Sequence, residues 1–451
     1  DYVPPKTSVS KDWHTQLKGG LATGVMDPQT LAAWWNTLND PALSSLVERA
    51  AAGNLDLKKA WARVREARAR RGVTKADLFP TLDATGSASW SRSSKDTGTG
   101  KTSDIYSASF DAGWELDIFG GVRRSLEAAE AELQANYEDL RNVLVSLLGE
   151  VALNYIEVRT FQARLTVAEA NLEAQKETYQ LTLWRYQAGL MDELAVEQAR
   201  YNLENTRSQI PTLRIGLEEA KNRLAVLLGE QPGTIHKELE ERKPIPVPPL
   251  EVAIGVPADV LRQRPDVRKA ERQLAAQTAR VGVATADLYP KFTLSGSIGL
   301  ETLSLTNLSS SGSWTLSAGP RITWPIFKAG AIRQKIEIQS ALQEQYLIAY
   351  EATVLSSLEE VENALLAYAE EQHRRDGLRK ATEAAQKAVE LAQQKYQAGL
   401  TDFSNVLDAE RSLLSLQDQL VQSEGEISSN LVRLYKALGG GWISLAQNEK
   451  K

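Results

Sequence analysis

The sequence predicts an α+β membrane protein: a duplicated half-protein, each copy carrying long coiled-coil-like helices and one hairpin of membrane-type strands. Three observations predict it. Blocks of sequence return at a constant offset of 210 residues. Long proline-free stretches keep a seven-residue apolar period. Four short segments, two in each half, alternate strictly between apolar and polar residues.

The repeat comes first because it fixes the architecture. Ala76-Asp77-Leu78-Phe79-Pro80 returns as Ala286-Asp287-Leu288-Tyr289-Pro290, and Tyr186-Gln187-Ala188-Gly189-Leu190 returns letter for letter as Tyr396-Gln397-Ala398-Gly399-Leu400. Arg223-Leu224 with Leu228-Gly229 returns as Arg433-Leu434 with Leu438-Gly439. The unit is too long for a solenoid repeat and reads as a duplicated half.

The elements follow in order. Residues 1–40 are punctuated by Pro and Gly and read as an extended N-terminal segment. A first repeat spans 41–230, with a hairpin at about 81–117 and long helices at about 54–78, 122–188 and 192–228. Residues 231–264, with Pro244, Pro246, Pro248, Pro249 and Pro257, read as an equatorial insertion at mid-height. A second repeat spans 265–440, with a hairpin at about 291–324 and helices at about 265–288, 328–398 and 402–438. Residues 441–451 form a C-terminal tail.

In the first hairpin Leu82, Ala84, Gly86, Ala88 and Trp90 alternate with polar residues, as do Tyr106, Ala108, Phe110, Ala112, Trp114 and Leu116. The second hairpin repeats the pattern with Phe292, Leu294, Gly296, Ile298 and Leu300, then Leu316, Ala318, Pro320, Ile322 and Trp324. From Val122 to Ala188 there is no proline and only one glycine, Gly149. Tyr137, Leu144, Val151, Val158, Leu165, Leu172 and Tyr179 recur every seventh residue, the signature of coiled-coil-like packing. The second copy keeps Leu347, Val354, Val361 and Tyr368, then loses the register at Arg375. At 1.5 Å per residue the outgoing helix spans about 100 Å. A return path of Asp192–Leu228 plus Pro265–Leu288 spans about 92 Å. Gly189 and Gly399 end the long helices, and Asp192 and Asp402 are suitable N-caps for the return.

About ten alternating residues with one apolar face fit a strand of a membrane β-barrel. Lipid does not tolerate an open sheet edge, so the sheet must close. Four strands cannot close, since bacterial barrels begin at about eight. The chain must therefore oligomerise, with eight strands in a dimer or twelve in a trimer. A soluble sandwich of amphipathic hairpins is the competing reading, but nothing in the sequence covers two hairpins joined to such helices.

Composition removes other classes. With 52 Lys and Arg against 58 Asp and Glu the net charge is −6, and basic residues are scattered, so no nucleic-acid partner is expected. No stretch approaches the roughly 18 apolar residues of a spanning helix. No leader is recognised, and Asp1 reads as the start of a processed chain. With no cysteine there is no thiol chemistry, and the three histidines, His14, His236 and His373, are too dispersed for a metal site. Gly100-Lys101-Thr102 has the tail of a phosphate loop, but Lys95 stands where the pattern needs glycine. No catalytic residue, cofactor or metal is expected.

The chain resembles the TolC-type outer-membrane efflux channels, in particular their OprM-like lipoprotein branch. The resemblance covers essentially all residues. It rests on Asp1-Tyr2-Val3-Pro4-Pro5, Ala76–Pro80, Trp114-Glu115-Leu116-Asp117-Ile118-Phe119-Gly120 and Pro257–Asp266. It also rests on Val406-Leu407-Asp408-Ala409 and Tyr435-Lys436-Ala437-Leu438-Gly439-Gly440-Gly441-Trp442. It implies a homotrimeric channel-tunnel: a shared twelve-stranded β-barrel in outer-membrane lipid, a periplasmic α-barrel of helices and an equatorial girdle. The implied partners are a periplasmic membrane-fusion adaptor and an inner-membrane pump of the resistance-nodulation-division (RND) class. The implied function is a passive conduit exporting small molecules. A type I protein-secretion channel and a trimeric surface scaffold are the alternatives. The branch carries a lipidated cysteine just upstream of the Asp-Tyr-x-x-Pro start, so a lipid anchor is expected outside this sequence.

The resemblance also assigns residues. Asp408 would line the periplasmic aperture, with Ser404, Asn405 and Arg411 beside it. Its counterpart in the first repeat is Gln198, so the position is not duplicated. Arg185, Tyr186, Gly189 and Leu190, with Lys395, Tyr396, Gly399 and Leu400, would form the helix tips that meet the adaptor. Trp90, Tyr106, Phe110 and Trp114 lie on the apolar strand faces and are expected to face lipid.

Overall fold

A computed structural model describes residues 2–5, 10–24, 27–249 and 251–442. The chain forms two compact units that cut across the sequence repeats. One holds Ala62–Glu138 and Arg268–Ala352 with the described residues 2–5, and the other holds the remainder. The repeats therefore do not fold as separate halves: each unit draws on both.

In chain order the elements are β1 (Leu21–Thr23), α1 (Pro28–Ala32), a 3-10 turn (Trp34–Leu38), α2 (Pro41–Gly53), α3 (Leu55–Ala76), β2 (Thr81–Arg92) and β3 (Thr102–Leu116). There follow α4 (Gly121–Gln187), α5 (Glu193–Leu228), β4 (Val252–Ile254), α6 (Pro257–Gln263), α7 (Pro265–Ala286), β5 (Lys291–Thr302), a 3-10 turn (Leu305–Asn307), β6 (Trp314–Thr323), α8 (Ala331–Gln397) and α9 (Phe403–Ala437). α8 runs unbroken through Arg375 and Gly377, where the heptad register is lost. Among the described residues no helix is long and apolar enough to cross a membrane.

The first unit carries a four-stranded antiparallel sheet in the order β2-β3-β5-β6. Directly opposed residues share a face, and the register joins the apolar sets of all four strands. Ala84 opposes Phe110, Phe110 opposes Ile298, and Ile298 opposes Leu316. The other face is polar: Asp83 opposes Asp111, Asp111 opposes Ser297, and Ser297 opposes Ser317. β2 and β6 are the two edges. The repeat also governs single bonds. Trp114 Nε1 donates to the Leu78 carbonyl at 3.0 Å, and its counterpart Trp324 donates to the Leu288 carbonyl at 3.1 Å. Beside the sheet, the helices of this unit approach through small residues, with Ala131, Ala275 and Ala276 buried together against Tyr2.

The second unit shows why 1–40 is not simply extended. β1 pairs in parallel with β4, Leu21 opposite Val252 and Thr23 opposite Ile254, which joins this segment to the insertion. Asp27 caps α1 by accepting from the Gln29 and Thr30 amides. Trp34, 1% exposed, stacks on Tyr435 at 5.6 Å. The close approach of backbone at Gly440 and Gly441 makes this possible. A Cβ on Gly440 would stand 2.9 Å from the Leu31 carbonyl oxygen, and the Gly441 amide donates to that same carbonyl at 3.0 Å. α2 and α3 divide at Asn54, whose side-chain oxygen accepts from the Leu57 amide.

The insertion is held by polar contacts to the helices of its unit. Arg159, 1% exposed, donates to the Glu241 carbonyl and to Gln162 Oε1, each at 2.8 Å, and Gln162 donates to the Leu239 carbonyl at 2.7 Å. Arg242 pairs with Glu169 at 2.8 Å. Arg264, from the Arg-Pro-Asp motif, is nearly buried against Asp266 at 2.7 Å, Glu360 at 2.6 Å and the Ala437 carbonyl. Burial alone would raise the Asp266 carboxyl, but the Arg264 guanidinium outweighs it and holds the pKa below the usual value.

Candidate functional site at the paired helix turns

The site lies within the second unit, where α4 turns into α5 and α8 into α9. Both turns use the same chemistry. Gly189 has φ +71° and Gly399 φ +69°, a left-handed geometry that favours glycine. The Leu190 amide donates to the Arg185 carbonyl at 2.9 Å, and the Leu400 amide to the Lys395 carbonyl at 2.8 Å. These bonds satisfy carbonyls that the helix ends would leave free. The return helices differ at their starts. Asp192 Oδ1 accepts from the Ala195 amide at 3.1 Å, whereas the Asp402 side chain makes no capping bond. There the Asn405 amide is met by the Asp402 backbone carbonyl at 3.2 Å, so the expected side-chain cap is present in one turn only.

The two turns are equivalent in sequence but not in surroundings. Tyr396 packs on Phe403 at 5.2 Å, its hydroxyl donates to Met191 Sδ at 2.9 Å, and the Arg185 guanidinium lies over its ring at 5.0 Å. Behind it Ala195, Ala199, Phe403, Val406 and Leu407 form a buried cluster. Tyr186 and Lys395, the other halves of the repeated pairs, are exposed. Leu190 and Leu400, each directly after its turn glycine, stand 75% and 76% exposed.

α9 separates two faces. Phe403, Val406, Leu407, Glu410 and Leu413 are buried, and Ser404, Asn405, Asp408 and Arg411 are exposed one turn apart on the opposite side. Asn405 donates to Thr401 Oγ1 at 2.7 Å, and Gln198 is half-buried. The Asp408 side chain is 70% exposed, with Arg411 Nη1 at 3.2 Å. Arg411 also reaches across to α5: its Nε donates to Asn202 Oδ1 at 2.5 Å, and its guanidinium lies 5.3 Å from the Tyr201 ring centroid. Asp408 and Arg411 thus form one polar group bridging α9 and α5.

Glu410 escaped the sequence reading. It is 8% exposed; Oε1 accepts from Thr178 at 3.2 Å and from Gln393 at 3.4 Å, and Oε2 has no partner among the described residues. Burial raises its pKa, with the Thr178 and Gln393 hydrogen bonds pulling the other way. The signal was available, because position 410 continues the apolar stripe of 403, 406, 407 and 413. Tyr201 and Asn202 were missed for a different reason: they contact the site from another helix, which no local pattern shows.

The strand residues fall on the apolar sheet face. Trp90 is 70% exposed and Phe110 57%, and Tyr106 is half-buried opposite Ala88. Trp114, 38% exposed, is anchored by its indole bond to Leu78.

Comparison with known proteins bears on the whole chain. The model of the family described as outer membrane efflux protein matches twice, at residues 46–230 and 256–440, the two matches offset by the 210 residues of the internal repeat. Nodulation protein T of Rhizobium leguminosarum bv. trifolii is 32% identical over 99% of this chain and 95% of its own length. The toluene efflux pump outer membrane protein TtgI of Pseudomonas putida is 33% identical over 99% and 96%. Among solved structures the outer-membrane channel OprN aligns with a TM-score of 0.90 and 37% identity, covering 98% of this chain and 99% of that one.

Proposed function

The chain belongs to the outer membrane efflux protein family, and from that premise we propose that three copies form a passive exit duct for a tripartite pump. It is an outer-membrane efflux channel and not an enzyme. In the proposed assembly the four strands of each protomer contribute to a twelve-stranded barrel. A periplasmic membrane-fusion adaptor docks at the helix turns, and an inner-membrane RND transporter supplies work and cargo. A small-molecule cargo is supported by the toluene efflux relative. A lipid anchor upstream of Asp1 completes the proposal.

The observation that carries it is the sheet. One face is apolar across all four strands, and both edges, β2 and β6, are open within the protomer. Lipid demands that such edges be paired. Reconstitution into planar bilayers tests the duct: stepwise ion conductance is expected. A protein that inserts and never conducts would be a scaffold. Restored drug resistance in a strain lacking its own channel, only when adaptor and pump are supplied, would support the tripartite reading over protein secretion.

A further inference from the structure

We propose that the internal repeat dictates the strand register between neighbouring copies: β6 of one copy pairs with β2 of the next, Ile322 opposite Gly86 and Arg321 opposite Ser87. The inference rests on the oligomeric barrel proposed above and deepens it to single residues.

The argument starts from the inner seam. There the second strand of repeat one, β3, pairs with the first strand of repeat two, β5. Ala112 opposes Gly296 and Asp111 opposes Ser297. Both hairpins keep one register under the 210-residue offset, Leu82 opposite Ala112 and Phe292 opposite Ile322. When the barrel closes, the second strand of repeat two meets the first strand of repeat one in the next copy. The same geometry then carries 112 to 322 and 296 to 86. The apolar faces stay in step, as a lipid-facing sheet requires.

One rung supplies an independent check. On the inner seam Ser109 opposes Gly299, and the strands are so close that a Cβ on Gly299 would lie 2.6 Å from the Ser109 Cβ and 2.5 Å from the Ala108 carbonyl oxygen. That rung needs a glycine. Its image between copies pairs Gly319 with Ser89: the glycine is kept but stands on the other strand. Within its own protomer Gly319 has nothing within 4 Å of a built Cβ, so the chain's own packing does not require glycine there. A close approach from a second copy does.

Because the sequence has no cysteine, engineered pairs report the register directly. Within one chain β2 and β6 are three strand spacings apart, about 14 Å. A disulfide needs Cα atoms within about 7 Å, so any link is between copies. The full-length protein in outer membranes is expected to give a reducible covalent trimer with Arg321→Cys plus Ser87→Cys, and with Ile322→Cys plus Gly86→Cys. Arg321→Cys with Thr85→Cys or Ser89→Cys should leave most chains monomeric on a non-reducing gel. Separately, Gly319→Ser should reduce the trimer fraction, and adding Ser89→Gly should restore it. If a shifted pair links in preference, the register is wrong. If native mass spectrometry shows a trimer and no pair links, the β6–β2 seam itself is wrong. A parent protein that is only monomeric overturns the barrel reading beneath both.

Discussion

Glu410 occupies a position where the apolar stripe of α9 calls for a hydrophobe, and its hydrogen-bonding partners among the described residues are the uncharged Thr178 and Gln393. A carboxyl whose pKa is raised on folding stabilises the native state below its unfolded pKa. That contribution is lost as pH rises through the folded value. Glu410→Gln keeps the acceptor and removes the ionisation. It should melt higher than the parent at alkaline pH and match it below the ordinary carboxylate pKa of about 4.3; thermal scans across that range decide it. Asp408, exposed on the opposite face, is a different case. Three such carboxylates converging on an axis would attract cations, so Asp408→Ala should lower cation selectivity and multivalent-cation block in single-channel recordings. Identical recordings would place Asp408 away from the lumen. At this scale the sequence singles out Asp408 as a candidate, because its counterpart is Gln198 and its motif resembles that of a known family. It did not show that Arg411 also bonds Asn202, since that contact depends on how α5 and α9 lie side by side.

The two glycine turns were legible as elements, since identical five-residue strings at identical helix ends leave little choice of geometry. Leu190 and Leu400 are exposed apolar side chains at the turns, and in the proposed assembly they are the contact for the adaptor. Replacing both with Asp should abolish efflux in a resistance assay while leaving a folded trimer by native mass spectrometry. Unchanged resistance would move the docking site elsewhere. The strands were legible for a related reason: alternation with period two is a strong local signal, and the helices flanking them lack it. β1 was not. It is three residues long, and its partner β4 lies more than 200 residues away, so no window of sequence contains the pattern. The start of α3 near residue 54 was legible, but the side-chain cap that Asn54 supplies there was not singled out.

For the whole molecule the sheet face is the decisive surface. Phe110, central on β3 between Ala84 and Ile298, is 57% exposed and predicted to meet lipid. Phe110→Arg should cost about 2–4 kcal/mol at the membrane mid-depth, seen as loss of assembled protein in outer-membrane fractions. Assembly at parental levels would show that this face is not in lipid. The duplication and the need for closure were readable from spacing alone. The division of the chain into units that mix both repeats was not, because it follows from long-range pairing. One further consequence concerns time. Leu31 and Trp34 are completed by Tyr435, Gly440 and Gly441, so an earlier segment of the chain is packed by residues made much later. While the chain is still emerging, the ring of Trp34 has nothing to stack on and β1 waits for β4. Folding of this unit is thereby postponed until the residues from Tyr435 to Gly441 have been made.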